Sequence, residues 1–184
     1  MKLNILRPVL VLVISAAVLL SISTFMAQQQ PAEPRIVVHK GARTLKLYDG
    51  SKLVKTYKMA LGFSPVGDKE VEGDGRTPEG DFYIFVKNDK SRFTLSLGVS
   101  YPSTDDAKRG IKANLITPAE ELEIITAIGN KAMPPQKTRL GGEIYIHGGG
   151  AEKDWTDGCI ALDDEDVTEL FSIARIGMPV TIVP

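Results

Sequence analysis

After a largely apolar N-terminal stretch, the first half of the chain alternates apolar and polar residues in short runs. Residues 36–40, 44–48, 53–61, 82–87 and 95–101 carry this period of two, which predicts strands. Leu45 and Leu47 fall on one face, Tyr57, Met59 and Leu61 share another, and Leu95, Leu97, Val99 and Tyr101 a third. Asp49-Gly50 tolerates positive φ between the second and third runs, so a hairpin is expected there. The span 62–80 holds five glycines and two prolines and reads as a long surface loop, while 178–183 reads as a closing strand. The helical period appears only later. Thr117-Pro118-Ala119-Glu120 is a capping box with proline at the first helical position. It predicts a helix ending at Gly129-Asn130, with Leu122, Ile125 and Ile128 as its buried side. A second helix is expected after Asp163, with Leu162 and Val167 as a hydrophobic staple and Val167, Leu170, Phe171 and Ala174 facing inward. Its acidic first turn, Asp164, Glu165 and Asp166, suits the helix dipole and needs no calcium. The fold class read from these periods is mainly β with a few helices.

The N-terminus changes the picture of where this domain resides. Lys2 and Arg7 precede a run from residue 9 to residue 27 without a charge, followed by the Gln- and Pro-rich stretch 28–34. That run approaches the roughly 20 residues of a membrane span and exceeds the roughly 7–15 of a signal-peptide core. Phe25 also interrupts the small-residue pattern before Ala27. Residues 1–27 are therefore expected to be a membrane anchor, with a cleaved signal as the alternative, 28–34 a linker, and 35–184 one exported domain. The location expected is the periplasmic side of the inner membrane, or the periplasm if the signal is cleaved. A net charge of -1 and a pI near 6.1 supply no basic excess for nucleic acid.

Candidate chemistry centres on Cys159, the only cysteine, and His147, one of two histidines. A lone thiol has no intramolecular disulfide partner, and nucleophilic cysteine chemistry requires a base to take its proton, commonly a histidine held beside the sulfur as imidazolium. His147 ends an alternating strand and opens a glycine run, whereas Cys159 follows Gly158 in a polar turn, so both stand where the scaffold hands over to loops. Eleven residues separate them, three of them glycines directly after His147, and such a loop folds back at little entropic cost. Gly158 permits close backbone approach, and the N–H groups of Gly158 and Cys159 are the expected oxyanion donors. Other inventories fail. Two histidines and one cysteine are too few for the usual structural zinc site, and Gly148-Gly149-Gly150 lacks the ending of a phosphate loop, so no metal or other cofactor is expected. His39, beside Lys40, reads as a surface residue, and Trp155 as packing for the loop.

These residues resemble the L,D-transpeptidases of peptidoglycan over roughly residues 35–184. Ile146-His147-Gly148, then Thr156-x-Gly158-Cys159-Ile160, match the family's signature, and Gly75-Arg76-Thr77-Pro78-Glu79-Gly80 followed by Phe82-Tyr83-Ile84 is similar to its second motif. The resemblance implies a β-sandwich-like catalytic domain, peptidoglycan stem peptides as partners, and Cys159 attacking the diamino acid at stem position three. It also implies that a backbone carbonyl, here Gly148, orients His147 and that Thr156 shapes the site; Asp157, Arg76 and Tyr101 are candidates for contact with an anionic stem peptide at the rim, with a structural role as the equal alternative for Arg76 and Tyr101. Many members carry His immediately before Gly-Cys and Arg two places after the cysteine, where this chain has Asp157 and Ala161. That pattern is similar to a subgroup in which some members hydrolyse wall bonds. Three outcomes stand open at this point: transpeptidation with cross-linking or protein attachment, hydrolysis on the same fold, or an inactive wall-binding module in which Cys159 is merely packed and its thiol pKa is ordinary or raised.

Overall fold

The computed structural model describes residues 33–184; the expected anchor or signal at 1–27 and most of the linker lie outside the described residues. Among the described residues no helix is long and apolar enough to cross a membrane.

Strands β1 (Pro34–His39), β2 (Thr44–Asp49) and β3 (Lys52–Lys58) form an antiparallel meander, with Gly50 at φ 55° turning the second hairpin. β4 (Gly80–Asn88), β5 (Ser96–Val99), β6 (Tyr145–His147), β7 (Ile160–Ala161) and β8 (Pro179–Val183) complete an eight-stranded sheet in the order β3-β2-β1-β8-β4-β5-β6-β7. The sheet does not lie flat. Residues 80–83 of β4 pair with β8 while residues 84–88 pair with β5, and the register slips between Ile84 and Val86. A strand that changes partner through such an irregularity turns a corner, folding one half of the sheet over the other. Bridges from Ala60 to Ala161 and from Gly62 to Thr156 then join the chain leaving β3 to the far edge. Between the halves lies one main core, into which Leu45, Leu47, Tyr57, Met59, Leu61, Leu97, Val99 and Tyr101 all point, as the period of two requires.

The described residues form three helices, α1 (Thr104–Lys112), α2 (Pro118–Gly129) and α3 (Asp164–Ile173), of which α3 packs on the sheet. α3 presents Val167, Leu170 and Ala174 to the main core with Leu162 beside them. α2 begins at the expected box, Thr117 accepting from the Glu120 amide and Glu120 from the Thr117 amide. Its buried side matches the expectation at Ile128, which packs on an apolar cluster, and differs elsewhere. Ile124 is buried, whereas Leu122 is 66% and Ile125 38% exposed, because α2 packs on a small separate cluster of Ala107, Ile116 and Leu140 rather than on the sheet. α1 was not foreseen in the pattern; a capping box with aspartate, Ser103 to Asp106, starts it.

The span 62–80 is not a loose surface loop either. Lys40, buried at the end of β1, donates to the carbonyls of Gly67 and Thr77 at 2.5 and 2.7 Å and to Glu79 at 2.8 Å. Lys69, also buried, donates to Asp74 at 2.8 Å and to the Val71 carbonyl at 3.0 Å. Burial alone would raise the Asp74 pKa, but Lys69 and the amides of Glu70, Arg76 and Val71 outweigh it and bring it below the usual carboxylate range. The loop is thereby held as one wall of the site.

Candidate active site

His147 closes β6 and Ala161 lies beside it in parallel β7, so the connection 148–159 must return the chain to the same end of the sheet. A parallel neighbour requires a crossover. Here it is an irregular loop fixed at many points. Gly149 and Gly150 adopt φ 104° and 106°, which glycine alone takes without strain. Their surroundings explain the acidic run of α3: Asp164 accepts from the Gly149 amide at 2.8 Å and Asp163 from the Ala151 amide at 3.0 Å. Asp154 takes a forked contact from Arg43, at 3.0 Å from Nε and 2.7 Å from Nη2, and also accepts from the Leu61 amide. Trp155 donates its indole N–H to the Gly150 carbonyl at 3.1 Å.

His147 is buried between aromatic faces. Phe93 stacks on it with centroids 4.5 Å apart and planes at 21°, and Trp155 meets it edge-on at 5.6 Å. Its Nδ1 lies 2.6 Å from the Gly148 carbonyl. A carbonyl only accepts, so Nδ1 carries the proton and Nε2 is the basic nitrogen. Burial lowers the His147 pKa; the Gly148 contact opposes this and the charge of Arg92 adds to it.

Cys159 is half-buried, opposite Tyr145. Its Sγ accepts from the Tyr145 amide at 3.4 Å and donates to the Glu143 carbonyl at the same distance. Desolvation is the largest influence on the thiol, which is pushed up to about 11, with Asp157 and Glu143 adding to the rise. The resting pair is therefore a neutral thiol and a neutral imidazole, not the thiolate–imidazolium pair expected from the residue types. A raised thiol pKa is also what a packed, inert cysteine shows, so position has to separate the two cases. Cys159 and His147 line the same cavity of about 600 Å³, bounded by Lys69, Glu72, Gln136, Lys137 and residues 141–143. Both also line a second cavity of about 450 Å³ that includes Lys90 and Tyr145. The two spaces share Arg92, Phe93, Glu143, His147 and Cys159.

The turn before the cysteine is built on Thr156. Its buried hydroxyl donates to the Cys159 carbonyl at 2.7 Å and accepts from the Gly158 amide at 3.2 Å. The Gly158 N–H is thus engaged in the resting structure. Gly158 has φ 127°, and a Cβ there would sit 2.6 Å from the Arg76 carbonyl. That contact, through backbone, is how the second motif reaches the site.

Two sequence assignments need correction. Tyr101 is not on the rim: it is wholly buried, and its hydroxyl donates to the Leu140 carbonyl at 2.9 Å. Arg76 does not line either cavity; its guanidinium turns to the Asp68 carbonyl at 3.3 Å and to Glu70 at 3.6 Å. Asp157 is exposed on the larger cavity. Residues the sequence reading passed over are Phe93, Arg92 and Glu143, the last in a left-handed conformation at φ 55° that aims its carbonyl at the sulfur. Among the described residues no group of His, Cys, Asp and Glu is placed to hold a metal ion.

Comparison with known proteins gives the same frame. No curated protein sequence matches the chain. Solved structures of similar fold include an L,D-transpeptidase from Mycobacterium smegmatis, at 12% identity and TM-score 0.50, covering 83% of this chain and 59% of that one. The helical cell shape determining protein Pgp2 from Campylobacter jejuni matches at 19% identity and TM-score 0.54, over 86% of this chain and 52% of its own. Bd1075 from Bdellovibrio bacteriovorus matches at 16% identity and TM-score 0.54, over 83% and 48%. The chain thus spans between about half and six-tenths of these proteins, and at such identities the likeness concerns the fold. The model of the YkuD family, the L,D-transpeptidase catalytic domain, matches residues 33–182, nearly the whole described chain, and the protein belongs to that family.

Proposed function

We propose that the protein is a cysteine-dependent L,D-transpeptidase that acts on peptidoglycan stem peptides, held at the periplasmic face of the inner membrane by residues 9–27. The observation that carries this reading is the placing of Cys159 and His147 on the same two cavities, with Gly148 fixing Nε2 as the basic nitrogen. Sγ of Cys159 attacks the carbonyl carbon of the diamino acid at stem position three. As the C–S bond forms, Nε2 of His147 takes the thiol proton, and it delivers that proton to the departing amine when the peptide bond breaks. Because both groups rest neutral, proton transfer accompanies attack instead of preceding it. The Cys159 amide receives the oxyanion, joined by Gly158 on release from Thr156. An amine entering from the second cavity resolves the acyl-enzyme as a cross-link or protein attachment. The fold shared with a protein named for helical cell shape supports a role in shaping the wall.

A second reading, hydrolysis, is favoured by one observation. Ala161 is completely buried, bridged to Ala60 on one side and paired with His147 on the other, so this position offers no cation to grip an acyl donor or acceptor. Intact-protein mass spectrometry of the full chain after exposure to a tetrapeptide muropeptide or a carbapenem tests the chemistry. An adduct lost in Cys159→Ser is expected; no adduct with either compound would overturn the acyl-enzyme and favour the inactive wall-binding module. Defined muropeptides then separate the outcomes, cross-linked products marking a transferase and shortened ones a hydrolase.

A further inference from the structure

The site contains a cation that neither the family match nor the proposed chemistry uses. Arg92 lies in the connection between β4 and β5, and its backbone is fixed beside the catalytic strand: the Phe93 carbonyl accepts from the Gly148 amide at 3.1 Å, and the Phe93 amide donates to Ser91 Oγ at 3.1 Å. The guanidinium rests over the Phe93 ring, 4.7 Å from its centroid, and the same ring stacks on His147 at 4.5 Å. Stacking on an aromatic ring orders a guanidinium while leaving its N–H groups open to a ligand.

Charge around it is unbalanced. Arg43 is paired with Asp154, Arg109 with Asp106, and Lys69 with Asp74, but Arg92 is exposed and has no acidic partner among the described residues. It lines both cavities that meet at Cys159. In the smaller one, Lys90 and Arg92 face a single carboxylate, that of Glu143. Ala161, meanwhile, leaves no cation in the β7 ladder.

Taking the proposed action on stem peptides as given, we infer that Arg92 is the residue that binds a carboxylate of the peptide substrate, seating it above Phe93 on the His147 side of the cleft. A stem tetrapeptide offers two such groups near the scissile bond: the terminal α-carboxylate of the D-amino acid at position four, and the side-chain carboxylate of the diamino acid. Either pairs with the guanidinium through two parallel N–H···O bonds. The bound anion also offsets the charge that Arg92 exerts on His147, so substrate carboxylate makes the imidazole a stronger base when it is needed.

Binding measured without turnover isolates this claim from the catalytic one. Full-length Cys159→Ser protein is titrated calorimetrically with a stem tetrapeptide, with the same peptide amidated at position four, and with the peptide amidated on the diamino acid side chain. Arg92→Gln in that background is expected to weaken the free-acid peptide by about 10–100-fold, the effect of losing hydrogen bonds to a charged group. One amidated peptide should bind equally to both proteins, and its identity names the carboxylate. Arg92→Lys should restore only part of the affinity, since an ammonium cannot make the forked contact. Equal weakening of all three peptides by Arg92→Gln, or none, overturns the assignment; so does failure of the free-acid peptide to bind the Cys159→Ser protein. A shift in the melting temperature of Arg92→Gln matching a loss of all three affinities would mark the residue as structural. Adduct formation on Cys159 in the wild-type chain is read separately, so the acyl-enzyme reading stands or falls by itself.

Discussion

Thr156→Val is the sharpest test of how the cysteine turn is built. Valine keeps the shape of threonine, so no cavity opens, but the hydroxyl that serves two backbone groups is gone. The Cys159 carbonyl loses a 2.7 Å donor and the Gly158 amide a 3.2 Å acceptor, both beside a side chain only 4% exposed. An orphaned buried group costs about 1–3 kcal/mol, and the longer contact belongs at the low end, so the sum is about 2–4 kcal/mol. Urea denaturation of the full chain, followed by far-UV circular dichroism and by Trp155 fluorescence, reads this loss. Trp155 is the sole tryptophan and adjoins Thr156 in sequence, so its emission reports the loop while the dichroism reports the fold. Acylation of Cys159 should slow in parallel, because the turn no longer holds the sulfur and its amide together. Thr156→Ser, which keeps the hydroxyl and loses one methyl, should fall by only about 1 kcal/mol and retain acylation. If the valine variant matched wild type within about 0.5 kcal/mol, the ordinary spread for surface changes, and acylated normally, the turn would owe its geometry to something other than these bonds.

With the thiol raised from 9.0 to about 11, iodoacetamide should modify Cys159 about 100-fold more slowly than a free thiol below pH 8, with the rate still climbing at pH 10 and no slowing in His147→Ala. Fast labelling at pH 6 that is lost in His147→Ala would establish an ion pair and overturn the neutral resting state. His147→Ala should lower the acylation rate by about 10²–10⁴-fold, as removal of a general base does. Because burial lowers the His147 pKa, the base stays neutral as pH falls past 6.5, so the acid limb of kcat/KM should lie below that value; a limb above it would contradict the burial. Tyr101→Phe should destabilise the fold by about 1–2 kcal/mol through the orphaned Leu140 carbonyl and leave stem-peptide affinity unchanged. A raised KM in that variant would return Tyr101 to the substrate.

What could be read from sequence follows from what local patterns encode. The period of two placed the strands and their faces, since Tyr57, Met59, Leu61, Leu97 and Val99 have only the sheet core to enter. The α2 cap was legible because a Thr-to-Glu box is contained in four residues. Its buried face was not, because whether Leu122 or Ile124 points inward depends on Leu140 and Ala107, which are distant in sequence. Lys40 illustrates the same limit: a lysine at a strand end reads as solvated, and only the fold brings two carbonyls and Glu79 to it. At the site, Cys159, His147 and the Gly148 carbonyl were readable because residue chemistry and a family signature coincide there. Phe93 and Arg92 carried no motif, although an aromatic beside a cation between two predicted strands was a signal available in the sequence. Tyr101 misled because an aromatic at a strand end suits a rim and a core equally well.

The central position of β8 has a consequence for how the molecule assembles. β8 lies between β1 and β4, pairing Ile36 with Val180 and Phe82 with Val180 across its two edges. Until residues near 180 arrive, the β1-β2-β3 meander and the β4-β5 hairpin have no ladder joining them and the main core has no floor. Contacts this far apart in sequence are the slow kind, since the connecting chain must be closed before any of them forms. Completion of the sheet therefore depends on a strand that has to pair along both of its edges. Loss of that strand removes hydrogen bonds from both sides at once, so damage there does not fray an edge but opens the sheet through its middle and leaves the half that carries Cys159 and His147 tied to the β1-β2-β3 meander only through the bridges beside Ala60 and Gly62.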